Sequence, residues 1–330
     1  MADKIYNWGI LGPGKIARKF ANALKIPGHS RLYGVASRDL SRAKEFAAEF
    51  NAPAFYGDYI SLIRDPAIDA IYIATPHAFH YQLAKACLEN NKPVLSEKPL
   101  TLDANQTAAL LTLSKKNKVF LMEALWTRFI PMTVSILEKV QSGKLGDIQY
   151  IKADFGFPAL FNPEGRLFNP ALGGGSLLDV GIYPLFLCTL LLGQPEKIMA
   201  TGSVSDNNID LDCQAILQYP NNQTAIIASS IHYQMPITAE ITGKKGQIRI
   251  PCPWYKNHYY YLKTEDKDWE KVELPALTNG FEFEIDEVVG CLEKGLQESP
   301  GWPVSSSLQL AKIMDEIKQQ LGVFYPAVTI

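Results

Sequence analysis

A two-domain α/β chain is predicted, with an N-terminal doubly wound parallel sheet and a C-terminal α+β domain built on an open-faced, largely antiparallel sheet. Three observations carry this. Short, continuously apolar strands alternate with helical stretches through the first third, as in a parallel sheet covered on both faces. A glycine-rich turn joins the first strand to the first helix. From about residue 124 the texture changes to half-exposed alternating strands, closed by two C-terminal helices.

Ile5 to Leu11 reads as the first strand, and Lys15 to Leu24 carries Ile16, Phe20, Ala23 and Leu24 at helical spacing. Leu32 to Ala36 is the second strand, and Ser41 is the expected N-cap of a helix that buries Phe46, Ala47 and Phe50. Ala70 to Ala74 is an apolar strand ended by Thr75-Pro76. Ala78 to Asn90 is helical, Pro93 to Ser96 a strand, Asp103 to Lys116 a helix and Val119 to Met122 a strand. In the second half, Asp147 to Phe157 alternates as a strand, and a Gly-rich segment leads into a helix over Asp179 to Leu192. Residues 196–250 alternate between turn signals at Pro220-Asn221-Asn222 and Lys244-Lys245-Gly246. Glu282 to Leu296 and Ser306 to Leu321 are closing helices, the latter expected to return to the first domain. Residues 1–123 and 124–330 are the expected domains.

The chain has 330 residues, 47% of them hydrophobic, and a net charge of −2, which gives no electrostatic footprint for nucleic acid. Its five cysteines are far apart and form no C-x-x-C pair, so neither a zinc site nor a disulfide framework is expected, and a reducing cytoplasm fits. The N-terminus leaves no room for a signal peptide, and the apolar run Val180–Leu192 contains Pro184 and is short for a bilayer, so no membrane segment is expected.

Gly12-Pro13-Gly14-Lys15-Ile16-Ala17 is a G-x-G-x-x-A turn between a strand and an amphipathic helix. In that context it lets a pyrophosphate approach the backbone at a helix N-terminus. At the end of the second strand, where an NAD site places an acidic residue for the ribose hydroxyls, stands Ser37-Arg38-Asp39. A hydroxyl and a guanidinium fork suit a 2′-phosphate, so NADP is expected, with NAD possible if Asp39 turns back to the ribose. Thr75, Pro76 and His77 lie at the carboxyl end of a strand, where open sheets hold ligands, and His80 follows one turn later. No further ligand completes a metal set, so at least one histidine is expected on the cofactor side. Glu97-Lys98-Pro99 ends another strand. Gly173-Gly174-Gly175 precedes Asp179, Gly181 and Tyr183. Together these bring a lysine, a carboxylate and a phenol to one junction between domains.

Those motifs resemble the glucose-fructose oxidoreductase/inositol dehydrogenase (Gfo/Idh/MocA) family. Residues 36–43, 120–129 and 178–183 are most similar to its dimeric dihydrodiol dehydrogenase branch, whose members also oxidise D-xylose with NADP. The resemblance implies a Rossmann domain and hydride transfer between a sugar-like hydroxyl, of an aldose such as D-xylose or a cyclic trans-dihydrodiol, and the nicotinamide. It places Lys98 beside the reacting oxygen, makes Tyr183 the general acid/base, and puts Trp126 and Asp179 in the substrate pocket. Inositol dehydrogenases tend to have histidine at the position of Tyr183, which counts against an inositol substrate. A lysine ammonium near the phenol is expected to favour the phenolate and lower its pKa. The resemblance and the open sheet face, with Ile216, Ile226, Ala228 and Ile248 as its apolar residues, imply a homodimer. Two rival readings stay open here: a glycosidase that oxidises its substrate transiently, and a non-catalytic nicotinamide sensor. The absence of a DNA-binding module counts against the sensor.

Overall fold

The computed structural model describes residues 4–26, 28–276 and 278–326. Its first sheet has six parallel strands: β1 (Tyr6–Leu11), β2 (Ser30–Ala36), β3 (Ala54–Tyr56), β4 (Ala70–Ile73), β5 (Val94–Glu97) and β6 (Leu121–Ala124), in the order β3-β2-β1-β4-β5-β6. The order reverses between β1 and β4, and that opens the crevice in which doubly wound sheets bind dinucleotides. Five helices connect the strands: α1 (Lys15–Ala23), α2 (Leu40–Phe50), α3 (Tyr59–Arg64), α4 (His80–Glu89) and α5 (Ala104–Asn117). β4 is buried along its length, as expected of a strand covered on both faces. The cap of α2 is Asp39 rather than Ser41: the Asp39 carboxylate accepts from the backbone N–H groups of Ser41 and Arg42. β3 and α3 were not foreseen, because a three-residue strand and a six-residue helix are too short to show a period.

After α6 (Pro131–Gln141), the second sheet begins with β7 (Ile148–Gly156). It continues through β8 (Lys197–Thr201), β9 (Asp212–Gln218), β10 (Thr224–Ser230), β11 (Ala239–Gly243), β12 (Gly246–Ile250), β13 (Tyr259–Thr264) and β14 (Lys267–Glu273), in the order β14-β13-β12-β11-β7-β10-β9-β8. Only β7 and β10 run parallel; the other pairs are antiparallel. One face is the core: Ile198, Leu217, Ala225, Ile151, Ile241, Ile248 and Leu262 stand in one cross-strand row and all are buried. Helix α7 (Ile182–Leu192) packs on this sheet as well. The segment Pro170–Leu192 is apolar and long enough by composition to cross a membrane, yet 83% of that window is buried inside the protein.

On the opposite face Met199, Ile216 and Ile226 align, followed in the same row by Lys152, Glu240, Arg249 and Tyr261. Ile248 therefore does not belong to the open face, as the sequence had suggested. The side-chain period of two puts it inward, opposite Ile241 and Leu262.

Helix α8 (Glu282–Glu293) starts beside the first domain: Asn279 Nδ2 donates to the Lys19 carbonyl at 2.8 Å. Helix α9 (Val304–Leu321) returns to α5, as expected. Asp315 accepts from the Ala104 N–H at 2.8 Å, and the Lys318 ammonium donates to the Leu102 carbonyl. The two sheets are thus tied together by helices near the crevice.

Candidate active site

The strand-to-helix turn after β1 forms a cradle. Gly12 adopts φ +92°, and a Cβ there would meet Thr75 Cγ2 at 3.0 Å and the Ala74 carbonyl at 3.1 Å. Only glycine combines that conformation with that approach. At Gly14 a Cβ would meet nothing nearer than 3.9 Å, so the space in front of the turn is open. No side chain caps α1, and its first turn carries no acidic residue, so backbone N–H groups and the positive end of the helix face that space. Lys15 is exposed and Ile16 half-buried beside it. Thr75 Oγ1 is buried with no hydrogen-bond partner among the described residues. An anionic dinucleotide fits this arrangement.

At the end of β2, Ser37 is buried, and its Oγ accepts from the Asp39 N–H at 3.2 Å. Arg38 is exposed, its guanidinium 5.2 Å from the centre of the Phe79 ring. Asp39 is occupied as the cap of α2.

After β4, Pro76 leads into a short turn of helix. His77 Nδ1 lies 2.8 Å from the Gly173 carbonyl, joining this edge to the glycine segment of the second half. His80 is fully buried, with Nδ1 and Nε2 each 2.8 Å from a carbonyl oxygen, those of Pro99 and Thr75. Burial lowers the pKa of both imidazoles, the Lys98 charge adding to the effect at His77. His80 therefore braces the Thr75 and Lys98-Pro99 loops against each other. Neither histidine joins a cluster of metal-ligating side chains among the described residues.

Glu97 ends β5 inside the protein. Its carboxylate accepts from the Tyr72 hydroxyl and from the Lys98 N–H, the latter at 3.2 Å, and the Tyr72 ring stacks on Phe20 of α1. Burial raises its pKa, against the opposing charge of Lys98. Buried Glu123 accepts from the Leu100 N–H at 2.8 Å. Glu97 and Glu123 thus fix the backbone at Lys98 and at Leu100, on either side of Pro99.

From the other half, Asp179 sits in a π-helical turn, Leu177–Gly181, that runs directly into α7. The sequence suggested an ordinary helix beginning at Asp179; the wider turn is a feature often found at functional sites. Asp210 fixes its start: Oδ2 accepts from Ser176 Oγ at 2.8 Å and from the Leu177 N–H at 2.6 Å. Burial pushes the Asp210 carboxyl up to about 7. The cap lies so close that a Cβ on Gly175, at φ +114°, would fall 2.1 Å from Asp210 Oδ1.

Lys98 and Asp179 meet as expected. The Lys98 ammonium donates to the Asp179 main-chain carbonyl at 2.5 Å and lies 3.4 Å from Oδ1. A third partner, Arg166 in the loop after β7, was missed: its Nη1 donates to Asp179 Oδ1 at 2.7 Å. Burial alone would raise the Asp179 pKa, but the charges of Lys98 and Arg166 outweigh it and hold the carboxyl well below the ordinary range. Asp179 is therefore an anion at all working pH.

Tyr183 lies on the next turn of the same helix, 7% exposed, with its ring 5.2 Å from the Lys98 ammonium. Its hydroxyl accepts from Trp126 Nε1 at 3.2 Å. The expected lowering of its pKa is reversed. Burial pushes the phenol well above its usual value and the charge of Glu97 adds to that, with only the Trp126 hydrogen bond opposing and Asp179 reinforcing. The Lys98 ammonium lies over the phenol's ring and is shared with Asp179, so it does not offset the burial. As it stands, Tyr183 is a proton donor.

Aromatic rings wall this spot. Trp126 stacks on Phe281 with centroids 5.2 Å apart, and Phe155 stacks on Tyr255 at 4.3 Å. Both members of the second pair lean on Tyr183, at 5.4 and 5.3 Å. Trp126, expected in the substrate pocket, lies against the Tyr183 hydroxyl. Phe155 was legible as an inward position of β7, following Ile151 and Ala153, but was not singled out. Tyr255 sits in a single 3₁₀ turn and Arg166 in a loop, and neither is long enough to carry a periodic signal. Trp254 is core, its indole donating to the Asp154 carbonyl at 2.9 Å.

Residues 6–125 match the GFO_IDH_MocA oxidoreductase family, NAD-binding Rossmann fold, and residues 134–249 match the GFO/IDH/MocA C-terminal domain. The chain is 37% identical over 331 residues to a trans-1,2-dihydrobenzene-1,2-diol dehydrogenase of Xenopus tropicalis, covering 97% of this chain and 99% of that protein. It is 35% identical to the human protein of the same name, covering 97% and 98%. Among solved structures, an aldose-aldose oxidoreductase from Caulobacter crescentus complexed with glycerol superposes with a TM-score of 0.88 at 24% identity, covering 96% and 97% of the two chains. A 3-ketoreductase from Actinomadura kijaniata in complex with NADP and TDP-benzene superposes at 0.83 with 25% identity, covering 98% and 100%.

Proposed function

From the premise that this chain belongs to the Gfo/Idh/MocA oxidoreductase family, we propose that it is an NADP-dependent dehydrogenase of a vicinal diol or an aldose, with its chemistry at the Lys98–Asp179–Tyr183 junction. At the coarser level, the chain is an NAD(P)-dependent oxidoreductase of sugar or diol hydroxyls. The observation that carries the finer reading is the meeting of a cation from β5, an ionised carboxylate and a neutral phenol from one helix, inside an aromatic box.

The cofactor would be held by Gly12, Gly14, Lys15 and Ile16 at its diphosphate, by Ser37 and Arg38 at its ribose phosphate, and by Thr75, Pro76, His77 and Lys98 along the crevice, with His80 and Glu97 bracing that edge from inside the protein. When bound, the nicotinamide supplies the carbon that accepts or gives hydride. This chain's own residues handle the proton and the fit. Tyr183, protonated and buried, donates to a carbonyl oxygen in the reducing direction, and in the oxidising direction its phenolate takes the hydroxyl proton. Lys98 offsets the charge that develops on that oxygen. Asp179 keeps Oδ1 on Arg166 and Lys98, while Oδ2 takes no hydrogen bond from the described residues and accepts one from a neighbouring substrate hydroxyl. Trp126, Phe155, Tyr255 and Phe281 receive the apolar face of a ring. A rate panel of aldoses and trans-diols with NADP and NAD, followed by reduced-nicotinamide absorbance, tests this. Turnover of a diol or aldose supports it, and silence across the panel contradicts it.

NADP is preferred over NAD because the one acidic residue at the end of β2, Asp39, is committed to capping α2, which leaves Arg38 as the group offered to the ribose. Arg38→Ala should raise the KM for NADP by about tenfold or more while leaving that for NAD within about twofold, since a charge-assisted contact to phosphate contributes roughly 1.5–3 kcal/mol. An unchanged KM for NADP contradicts the assignment.

Residues 1–123 form the cofactor unit, and 124–330 the substrate-binding and dimerisation unit. The dimer forms through the outer face of the second sheet, where Met199 and Ile216 are each 39% exposed and continue into Ile226. Light scattering should give twice the 36.7 kDa chain mass, and Ile226→Lys should shift it toward monomer. A stable wild-type monomer at micromolar concentration contradicts the interface.

A further inference from the structure

Arg166 is not part of the helix or the strands that build the site. It comes from the loop between β7 and the glycine segment, and its side chain is 54% exposed, against 11% for Lys98 and 7% for Asp179. The chain on either side of it is anchored. The Gly165 N–H donates to the Asn162 carbonyl at 2.9 Å, the Leu167 carbonyl accepts from the Gly175 N–H at 2.9 Å, and Phe168 is buried. The loop thus holds one guanidinium at the mouth of the site, in a fixed position.

The distances around Asp179 divide its charge unequally. Arg166 takes Oδ1 at 2.7 Å, while Lys98 stays at 3.4 Å from the same oxygen and is anchored instead on the neutral main-chain carbonyl at 2.5 Å. A carboxylate oxygen already occupied by a guanidinium attracts a second cation less strongly. The ammonium keeps more of its field for the neighbouring phenol ring and the substrate oxygen.

Resting on the function proposed above, we propose that Arg166 is a positioning residue: by taking Asp179 Oδ1 at 2.7 Å, it holds the Lys98 ammonium at the looser 3.4 Å from that oxygen and leaves part of its field to the acid/base Tyr183. The titratable and charged groups around Tyr183 are Glu97 and Lys98 at the end of β5, Tyr72 on β4, Asp179 on the π turn, Tyr255 beyond β12 and Arg166 itself. Deleting Arg166 acts on two of them in the same direction. Asp179 loses its screening cation and Lys98 moves onto Asp179, and both changes disfavour the phenolate.

Arg166→Ala should therefore lower kcat by about tenfold with a smaller change in KM, and move the alkaline limb of the kcat pH profile up by roughly half a unit or more. Arg166→Lys should restore the limb toward wild type, because it returns the charge. A purely structural role would lower activity without moving the limb. An unmoved limb in Arg166→Ala, no rescue by Arg166→Lys, or a KM effect confined to anionic substrates would each overturn the proposal. Tyr183→Phe, measured alongside, separates the two levels: if it is inactive while Arg166→Ala is normal, only the Arg166 role fails, and if it is active, the proposed chemistry itself fails.

Discussion

Tyr183→Phe should lower turnover by about 10²–10⁴-fold, the usual contribution of a general acid/base, while cofactor binding stays close to wild type. The ring stays packed between Phe155, Tyr255 and the Lys98 ammonium, so the substitution removes one hydroxyl and little else. The lost contact is the 3.2 Å hydrogen bond from Trp126, whose indole N–H is then left without its partner. That costs stability of about 1–3 kcal/mol at most, which a thermal melt resolves from a catalytic effect. Steady-state rates in both directions check it. Near-normal turnover would remove tyrosine from the role and leave Asp179, one turn earlier, as the remaining base.

Lys98→Met should also be severe, lowering kcat by about 10²-fold or more, because the cation beside the Tyr183 ring is lost. Its pH signature has a definite sign. Tyr183 already lies above its usual value through burial and the charges of Glu97 and Asp179. Removing the ammonium leaves those two carboxylates less opposed, so the phenol becomes harder still to ionise and the alkaline limb of kcat moves to higher pH. The same change removes the donor to the Asp179 carbonyl. Asp179 keeps Arg166 and stays ionised, so the acid side of the profile should not move. A limb that shifts down, or does not shift, contradicts this electrostatic account.

Much of this was legible in the sequence, for a physical reason. Gly12 and Gly14, the Thr75-Pro76 strand end, Glu97-Lys98 and the Asp179–Tyr183 spacing are local requirements of turns and helices, so each leaves a short, readable pattern. The parallel strands were readable because burial on both faces makes them continuously apolar, as in β4. What escaped depends on distant partners. The Ser41 cap was displaced by Asp39, two residues earlier, since either residue type caps a helix and only backbone geometry chooses between them. The π turn is set by Asp210, 33 residues away from the Leu177 N–H that it accepts. Arg166 lies in a loop, where side-chain direction follows no period. Ile248 was assigned to the wrong face because a strand's inward side depends on its register with β11 and β13. The direction of the Tyr183 pKa was misread for a related reason: residue types gave the proximity of Lys98, but only the structure shows its ammonium turned to Asp179.

The claim on which everything rests is that this chain moves a hydride from a carbinol carbon to the nicotinamide. The most direct measurement supplies D-xylose deuterated at C1, and a trans-dihydrodiol deuterated at its carbinol carbons, to the protein with NADP, and reads the reduced cofactor by NMR. Deuterium at C4 of the reduced nicotinamide, from at least one of the two substrates, is the predicted result. Reduced cofactor without label, or no net reduction with either substrate, would contradict the account.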